Sequence, residues 1–278
     1  MLTGLFLIKR IHQLETSQKK PYQVLDLVGI DQSRMRGIVW SPETVIEGDV
    51  LHENLVYMFD AEETTYRGDP QLTIKIAVKA DDADLSDFLE SPKILPENLF
   101  LQLVKLISSI KTDSYSQIAK LVIQNSDIEK KLKLIPKTLN YDYNYPGGLL
   151  HSILNLVQIS KTVGETLLKE TQQESKDLLI CGALVCDIGK VIEIDSNFNL
   201  TADGDLLGHQ FLGCRLLEEI DKKLDYEFHS EILKLCHCIL VHHVDDIGNW
   251  SSVKIKFKEA DMLRMISTLV IKTAGWSI

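Results

Sequence analysis

The chain has 278 residues, of which 45% are hydrophobic and 25% charged, and its formal net charge is -10. This length predicts one large domain or two modest ones. The negative balance argues against a general polyanion binder, because such domains are usually basic. The absence of a long apolar run predicts no membrane span. The five cysteines are odd in number and mostly in apolar stretches, which is typical of a reducing, cytoplasmic location.

The N-terminal part of the chain consists of short β-rich runs separated by turn-forming residues. The runs read LFLIKRI, YQVLDLV, MRGIVW, LVYMF and QLTIKIAV. Five strands in so short a stretch predict a small barrel. The OB-fold is the common five-stranded barrel that binds single-stranded nucleic acids. We therefore predict an OB-type β-barrel that resembles a nucleic-acid-binding domain over residues 1–90.

Aromatic side chains on these strands are candidates for stacking against bases. We predict that nucleic acid contacts Tyr22, Trp40, Tyr66 and Arg67. The alternative, that most of the aromatic residues form the barrel core, stays open. Residues 1–90 hold nine Lys and Arg against sixteen Asp and Glu, so a role of the barrel in assembly is also open.

The remainder of the chain has a helical period. After an acid-rich stretch that contains Pro92 and Pro96, apolar residues recur every three to four positions. We predict a helical linker region over residues 91–145 and an all-α domain over residues 146–278. The fold class is therefore α+β multidomain, with a five-stranded barrel followed by a helical bundle.

An apolar helix pattern from Leu178 ends abruptly in the polar cluster Cys186-Asp187-Ile188-Gly189-Lys190. A carboxylate buried at such a position is costly unless a metal or another cation pairs with it. A lone histidine on an apolar face is more often a core residue than a ligand, but several helices that each present one His or Asp inward can build a metal site. Histidines in similar helical settings flank the cluster: His151, His209, His242 and His243.

This arrangement resembles the HD-domain phosphohydrolases. Motifs along nearly the whole chain resemble the YhaM-type 3′-to-5′ exoribonuclease family, in which an OB-fold precedes an HD domain. The matching stretches are Tyr66-Arg67-Gly68-Asp69-Pro70-Gln71-Leu72, Pro146-Gly147-Gly148-Leu149-Leu150-His151-Ser152, the helix from Asp177 to Val191, Leu206-Leu207-Gly208-His209, Leu240-Val241-His242-His243 and Lys258-Glu259-Ala260.

The resemblance implies catalytic roles for Asp187 and Lys190. It implies a divalent transition metal as cofactor, and imidazole and carboxylate ligands suit Mn, Fe, Ni or Zn. The implied partner is single-stranded RNA or another nucleotide phosphodiester, with no membrane partner, and assembly into a homo-oligomer is left open. The implied metal ligands are His151, Asp187, His209, His242 and His243, with Cys186 as a further candidate.

The chain departs from the family pattern on one side of this centre. Cys186 stands where the family has the His of its His-Asp pair, and Ser267 stands where the last ligand Asp is expected. Val270 also replaces a usual Asp, and the spacing from Gly-Gly to His151 is one residue short. The site formed by His151, Cys186, Asp187 and Ser267 thus loses two of four ligands. The site formed by Asp187, His209, His242 and His243 keeps all of its ligands.

Two functions follow from this pattern. The first is a metal-dependent phosphodiesterase, similar to the 3′-to-5′ exoribonucleases, with one metal site intact and one weakened. The second is a catalytically inactive protein that keeps both domains as a binding or assembly module. The replaced ligands favour the second function, whereas the retained histidines favour the first.

Overall fold

The computed structural model describes residues 2–31, 33–46, 49–66, 68–83, 85–88, 95–139, 143–243 and 253–274. The chain divides into two compact units, Met1–Ser91 and Pro92–Ile278. The first unit is a barrel with a short 3₁₀ helix, Leu85–Phe88, and the second is helical. This agrees with the predicted fold class.

The first unit is a closed five-stranded barrel with the strand order β1-β2-β3-β5-β4. All neighbouring strands are antiparallel except β3 and β5, which are parallel. This closed barrel confirms the predicted OB-type architecture. The strands are β1 (Leu2–Glu15), β2 (Pro21–Gly29), β3 (Arg34–Val39), β4 (Val56–Tyr66) and β5 (Asp69–Lys79).

The first strand closes the barrel by pairing with two neighbours. Its first half pairs with β4 and its second half with β2, and a register shift lies between Ile8 and Arg10. Such an irregularity bends a strand, as barrel closure requires. Tyr57 and Phe59 belong to the buried barrel core together with residues such as Leu25 and Leu72. For these two aromatic residues, packing in the core is therefore the observed role.

The second unit is built from α-helices of very different length. Helix α7 contains a break at Gly208, where the backbone is not helical. The helices are α1 (Pro96–Ile107), α2 (Asp113–Ile123), α3 (Ser126–Leu134), α4 (Gly148–Leu167), α5 (Gln173–Val185), α6 (Lys190–Glu193), α7 (Ala202–Lys223), α8 (His229–Val241) and α9 (Lys258–Ala274).

Helix α5 is the central element of the helical unit. It packs against α2, α4, α8 and α9, and every residue from Asp177 to Val191 is buried. A helix that is surrounded on all sides must be apolar around its whole circumference, as LLICGALV is. Of the helices described, none is both long and apolar enough to cross a membrane.

Helix α3 lies within the predicted helical linker region, but its stretch reads as polar and does not stand out as a separate helix. Only Ile128 and Leu132 are buried in it, one helical turn apart. The side chain of Asn125 caps its first turn by accepting hydrogen bonds from the backbone N–H groups of Asp127 and Ile128. Two apolar residues and a cap are too weak a periodic signal to predict a helix.

The carboxylate of Asp177 joins α5 to the start of α2. Its Oδ2 accepts hydrogen bonds from the backbone N–H groups of Lys111 and Thr112 and from the Thr112 hydroxyl, at 3.1, 2.8 and 2.7 Å. Its Oδ1 accepts one from Gln173. Because Asp177 is fully buried, its loss leaves several donors without an acceptor.

We therefore expect Asp177→Ala to lower the free energy of unfolding by about 2–4 kcal/mol in urea titrations. The matched control is Asp113→Ala, since Asp113 lies on the exposed side of the same junction and accepts only from Gln117. The free energy of unfolding of the Asp113→Ala protein should stay within about 0.5 kcal/mol of the wild-type value. Equal effects of the two changes would contradict the assigned role of Asp177.

Candidate metal centre

Asp187 lies in the turn that follows the buried helix α5. Its side chain is fully buried, and neither carboxylate oxygen has a hydrogen-bond partner among the described residues. A buried, ionised carboxylate without partners is strongly unfavourable, so cations must compensate for it.

The side chains of three histidines converge on this carboxylate. Asp187 Oδ1 lies 3.4 Å from Nε2 of His242, 3.7 Å from Nε2 of His209 and 3.8 Å from Nε2 of His243. One ligand atom from each of the four residues lies within 4.8 Å of the other three. One carboxylate and three imidazoles at this spacing can hold a divalent metal ion, and their O and N donors suit a transition metal.

Hydrogen bonds on the far side of two rings orient them toward Asp187. His242 Nδ1 lies 2.7 Å from the carbonyl oxygen of Ile239, which can only accept, so Nδ1 carries the proton. His209 Nδ1 lies 3.3 Å from Glu193 Oε1, which also accepts the His209 backbone N–H. The Nε2 atoms of both rings are buried without a partner in the described structure, and their lone pairs face the centre. These orphaned atoms fit a metal ligand set.

The electrostatics of the group favour the protonation states that a metal requires. Burial opposes the charge on Asp187, but Lys137 and His242 outweigh it and hold the pKa of this carboxyl well below its usual range. Burial lowers the pKa values of the His209 and His243 imidazoles. The centre therefore combines an ionised carboxylate with imidazoles of His209 and His243 that favour the neutral form, which is the form that binds metal.

Two glycines allow the backbone to bring these residues together. A Cβ at Gly189 would lie 1.9 Å from the backbone oxygen of His209, so only glycine lets the Asp187 turn approach α7 this closely. Gly208 has φ 70° and ψ 159°, a conformation that is essentially restricted to glycine. The resulting break in α7 immediately precedes His209.

His243 is the most exposed of the four residues. Its side chain is 34% exposed, whereas that of His209 is 15% exposed and those of Asp187 and His242 are completely buried.

His151 and Cys186, which the sequence also suggests as ligands, are not part of this group of four. His151 Nδ1 is hydrogen-bonded to the Tyr145 hydroxyl at 2.6 Å, and its ring packs edge-on against Tyr143. Cys186 is fully buried, and burial raises the pKa of its thiol well above the usual range, so a thiolate is disfavoured.

Lys190 is close to the centre but already has a partner. Its Nζ lies 3.1 Å from Glu193 Oε2, and the residue is buried. Glu193 therefore connects Lys190 on one oxygen to His209 on the other. Burial raises the pKa of Glu193, but His209 and Lys190 together lower it to about 2.

Lys137 is a residue of the centre that the sequence did not single out. Its Nζ lies 3.4 Å from Asp187 Oδ2 and donates a hydrogen bond to Ser152 Oγ at 2.8 Å. The residue is only 3% exposed. It comes from the short segment between α3 and α4, which carries no periodic pattern. The sequence feature that could have indicated Lys137 is its place beside Pro136, in a loop that precedes a helix with buried polar residues.

On the barrel, two of the predicted stacking residues form a pair. The rings of Tyr22 and Trp40 stack with centroids 5.1 Å apart, and Trp40 is 53% exposed. Tyr66 is also exposed, and the Arg36 guanidinium lies 5.7 Å from the centroid of its ring. Arg67 lies outside the described residues.

Comparison with known proteins supports the resemblance deduced from the motifs. The chain is 25% identical over 275 residues to the 3′-5′ exoribonuclease YhaM of Shouchella clausii, covering 97% of this chain and 83% of the relative. It is 27% identical over 277 residues to the protein of the same name from Geobacillus sp. (96% and 81%). It is 24% identical over 250 residues to that of Bacillus subtilis (87% and 73%).

No protein-family model matches the chain. No solved structure matches it either. The family assignment thus depends on relatives that align along most of both chains.

Glu193 provides a direct test of the metal centre. We expect Glu193→Gln to weaken Mn²⁺ binding by about 10–100-fold, because the carboxylate that orients His209 is lost. Isothermal titration calorimetry measures the affinity, and Glu165→Gln, on the exposed face of α4, is the control. Unchanged affinity in Glu193→Gln would mean that His209 is not a ligand.

Proposed function

We propose that this chain, which belongs to the YhaM-type family of 3′-to-5′ exoribonucleases, hydrolyses the phosphodiester bonds of single-stranded RNA from its 3′ end with a divalent metal as cofactor. The observation that carries this proposal is the buried group of Asp187, His209, His242 and His243, whose ligand atoms lie within 4.8 Å of one another. A structural core has no need of a carboxylate and three imidazoles that face one another without hydrogen bonds.

These four residues would hold the ion. A bound divalent ion acts as a Lewis acid toward a phosphoryl oxygen and stabilises the charge that develops there. Mn, Fe, Ni and Zn all suit this donor set. Asp187 contributes the single negative charge, and the three imidazoles contribute neutral donors.

Neighbouring side chains fix the ligands and adjust the charge around them. Glu193 holds the His209 ring through Nδ1, so that Nε2 faces Asp187. Lys190 adds a positive charge beside Glu193 and attracts a phosphate as a point charge. We propose Asp187 and Lys190 as the catalytic residues on these grounds.

The barrel would bind the single strand. In OB-folds the face of strands 2 and 3 and the loop between strands 4 and 5 are the usual binding surface. The Tyr22–Trp40 pair lies on adjacent strands, since Gln23 is paired with Val39 one residue before Trp40. Tyr66 lies at the end of β4, beside the loop that leads to β5. Bases can stack on such rings without regard to sequence.

One observation favours a second function, a binding module without catalysis. Cys186, where the family pattern has a histidine ligand, is a buried thiol, and Ser267, where the pattern has an aspartate ligand, is a buried hydroxyl without a hydrogen-bond partner among the described residues. Neither side chain is a good ligand for Mn²⁺. If two metals were required for turnover, this centre would be inactive.

Degradation of RNA separates the two functions. We expect a 5′-labelled single-stranded RNA to shorten from its 3′ end in Mn²⁺. Asp187→Asn should slow this shortening by more than about a hundredfold, since even the loss of a residue that only orients a metal ligand costs about 10–100-fold. Asp203→Asn, at an exposed carboxylate on α7, should leave the rate unchanged. Wild-type protein that binds RNA but shortens it with none of Mn²⁺, Fe²⁺, Ni²⁺ or Zn²⁺ would favour the binding module.

The barrel surface can be tested separately from the chemistry. We expect Trp40→Ala to weaken binding of a single-stranded oligonucleotide by about 1–3 kcal/mol, the value of one stacked base. Trp40→Phe keeps an aromatic ring and should lose much less. Binding is measured by fluorescence anisotropy. All three proteins, the one that keeps Trp40 and those with Trp40→Ala or Trp40→Phe, also carry Asp187→Asn so that the oligonucleotide is not degraded during the measurement. Equal binding by all three proteins would exclude this face as the RNA site.

A further inference from the structure

The two oxygens of Asp187 face different partners. Oδ1 lies toward the Nε2 atoms of the three histidines, at 3.4 to 3.8 Å. Oδ2 lies toward the ammonium of Lys137, at 3.4 Å. The carboxylate is thus shared between a candidate metal group on one side and a fixed organic cation on the other.

Lys137 is held firmly in this position. Its ammonium donates to Ser152 Oγ at 2.8 Å and lies 5.8 Å from the centroid of the Tyr143 ring. Its backbone N–H donates to the carbonyl of Tyr143 at 3.1 Å. The side chain is 4% exposed, so no water replaces these contacts. Moving the ammonium away would leave Asp187 Oδ2 buried without a counter-charge.

The residues around this ammonium suit a lysine better than a metal. Ser152, which accepts from the ammonium, and Cys186, which precedes Asp187 in the chain, are fully buried, and neither is a carboxylate or an imidazole. Ser267, at the position where the family pattern has a ligand aspartate, is a fully buried hydroxyl. Ser152 follows His151 directly, and it is Ser152 that faces the centre through Lys137. An ammonium needs only acceptors for its three N–H groups, which hydroxyl and carboxylate oxygens provide.

We propose that the Lys137 ammonium takes the place of a second metal ion beside Asp187, so that the centre binds a single divalent ion. This inference depends on the proposed metal centre and adds its stoichiometry and the residue that sets it. The Lys137 ammonium, 3.4 Å from Oδ2, occupies the side of the carboxylate that a second ion would need and repels such an ion. Lys137 is therefore a positioning residue, which contacts the ligand and not the substrate.

The test compares metal content in three full-length proteins. The first is wild type. The second carries Ser152→His, Cys186→His and Ser267→Asp, which place an imidazole beside the ammonium and an imidazole and a carboxylate at the two positions where the family pattern has ligands. The third adds Lys137→Ala to these three changes. Metal per chain is measured by mass spectrometry after dialysis against Mn²⁺, and binding by calorimetry.

We expect one ion per chain in wild type, one in the second protein and two in the third. Two ions in wild type, or two in the second protein while Lys137 is present, would overturn the role of Lys137 and leave the proposed function standing. No ion in wild type would overturn the proposed metal centre itself, and the inference with it.

A single change provides a second readout should the fourfold variant fail to fold. In Lys137→Met the carboxylate loses its fixed positive charge, so Mn²⁺ at pH 8 should bind at least about tenfold more tightly than in wild type. Lys105→Met, on the exposed face of α1, is the control and should bind as wild type does. Equal or weaker binding by Lys137→Met would contradict the competition between ammonium and metal, since a purely structural lysine would not increase metal affinity when removed.

Discussion

One buried negative charge dominates the helical unit. Asp187 is fully buried, so its ionisation depends on cations within a few ångströms. The Lys137 ammonium lies beside the Oδ2 oxygen of Asp187. The three imidazoles face the Oδ1 oxygen and leave it available to a metal. Other parts of the helical unit position this carboxylate. The buried helix α5 places Asp187 in the interior, and Gly189 allows the turn that contains Asp187 to approach α7.

The fold class and several residues of the candidate metal centre could be predicted from the sequence. The strand runs and the helical period indicated a barrel followed by helices because hydrophobic periodicity reflects burial directly. The same reasoning singled out Asp187 and three of its histidine neighbours, which interrupt apolar stretches. Helix α3 did not stand out as a separate helix because only Ile128 and Leu132 are buried in it.

The contacts of His151, Ser152 and Lys137 could not be predicted, because they depend on the rotational phase of a helix and on proximity in three dimensions. His151 and Ser152 are adjacent in sequence but face different partners, and a shift of one residue turns a helix position by about 100°. His151 is consequently hydrogen-bonded to Tyr145, whereas Ser152 is hydrogen-bonded to Lys137. Lys137 is fifty residues from Asp187 in the chain, so no local pattern connects them. A cation that replaces a metal leaves no motif of its own.

Anomalous diffraction from crystals grown with Mn²⁺ would show how many ions the centre of Asp187 holds. We expect one peak per chain, on the side of Asp187 Oδ1 among the Nε2 atoms of His209, His242 and His243, with the Lys137 ammonium still beside Oδ2. A second peak beside Oδ2, with Lys137 displaced from Asp187, would show a two-metal centre and would contradict the role of Lys137.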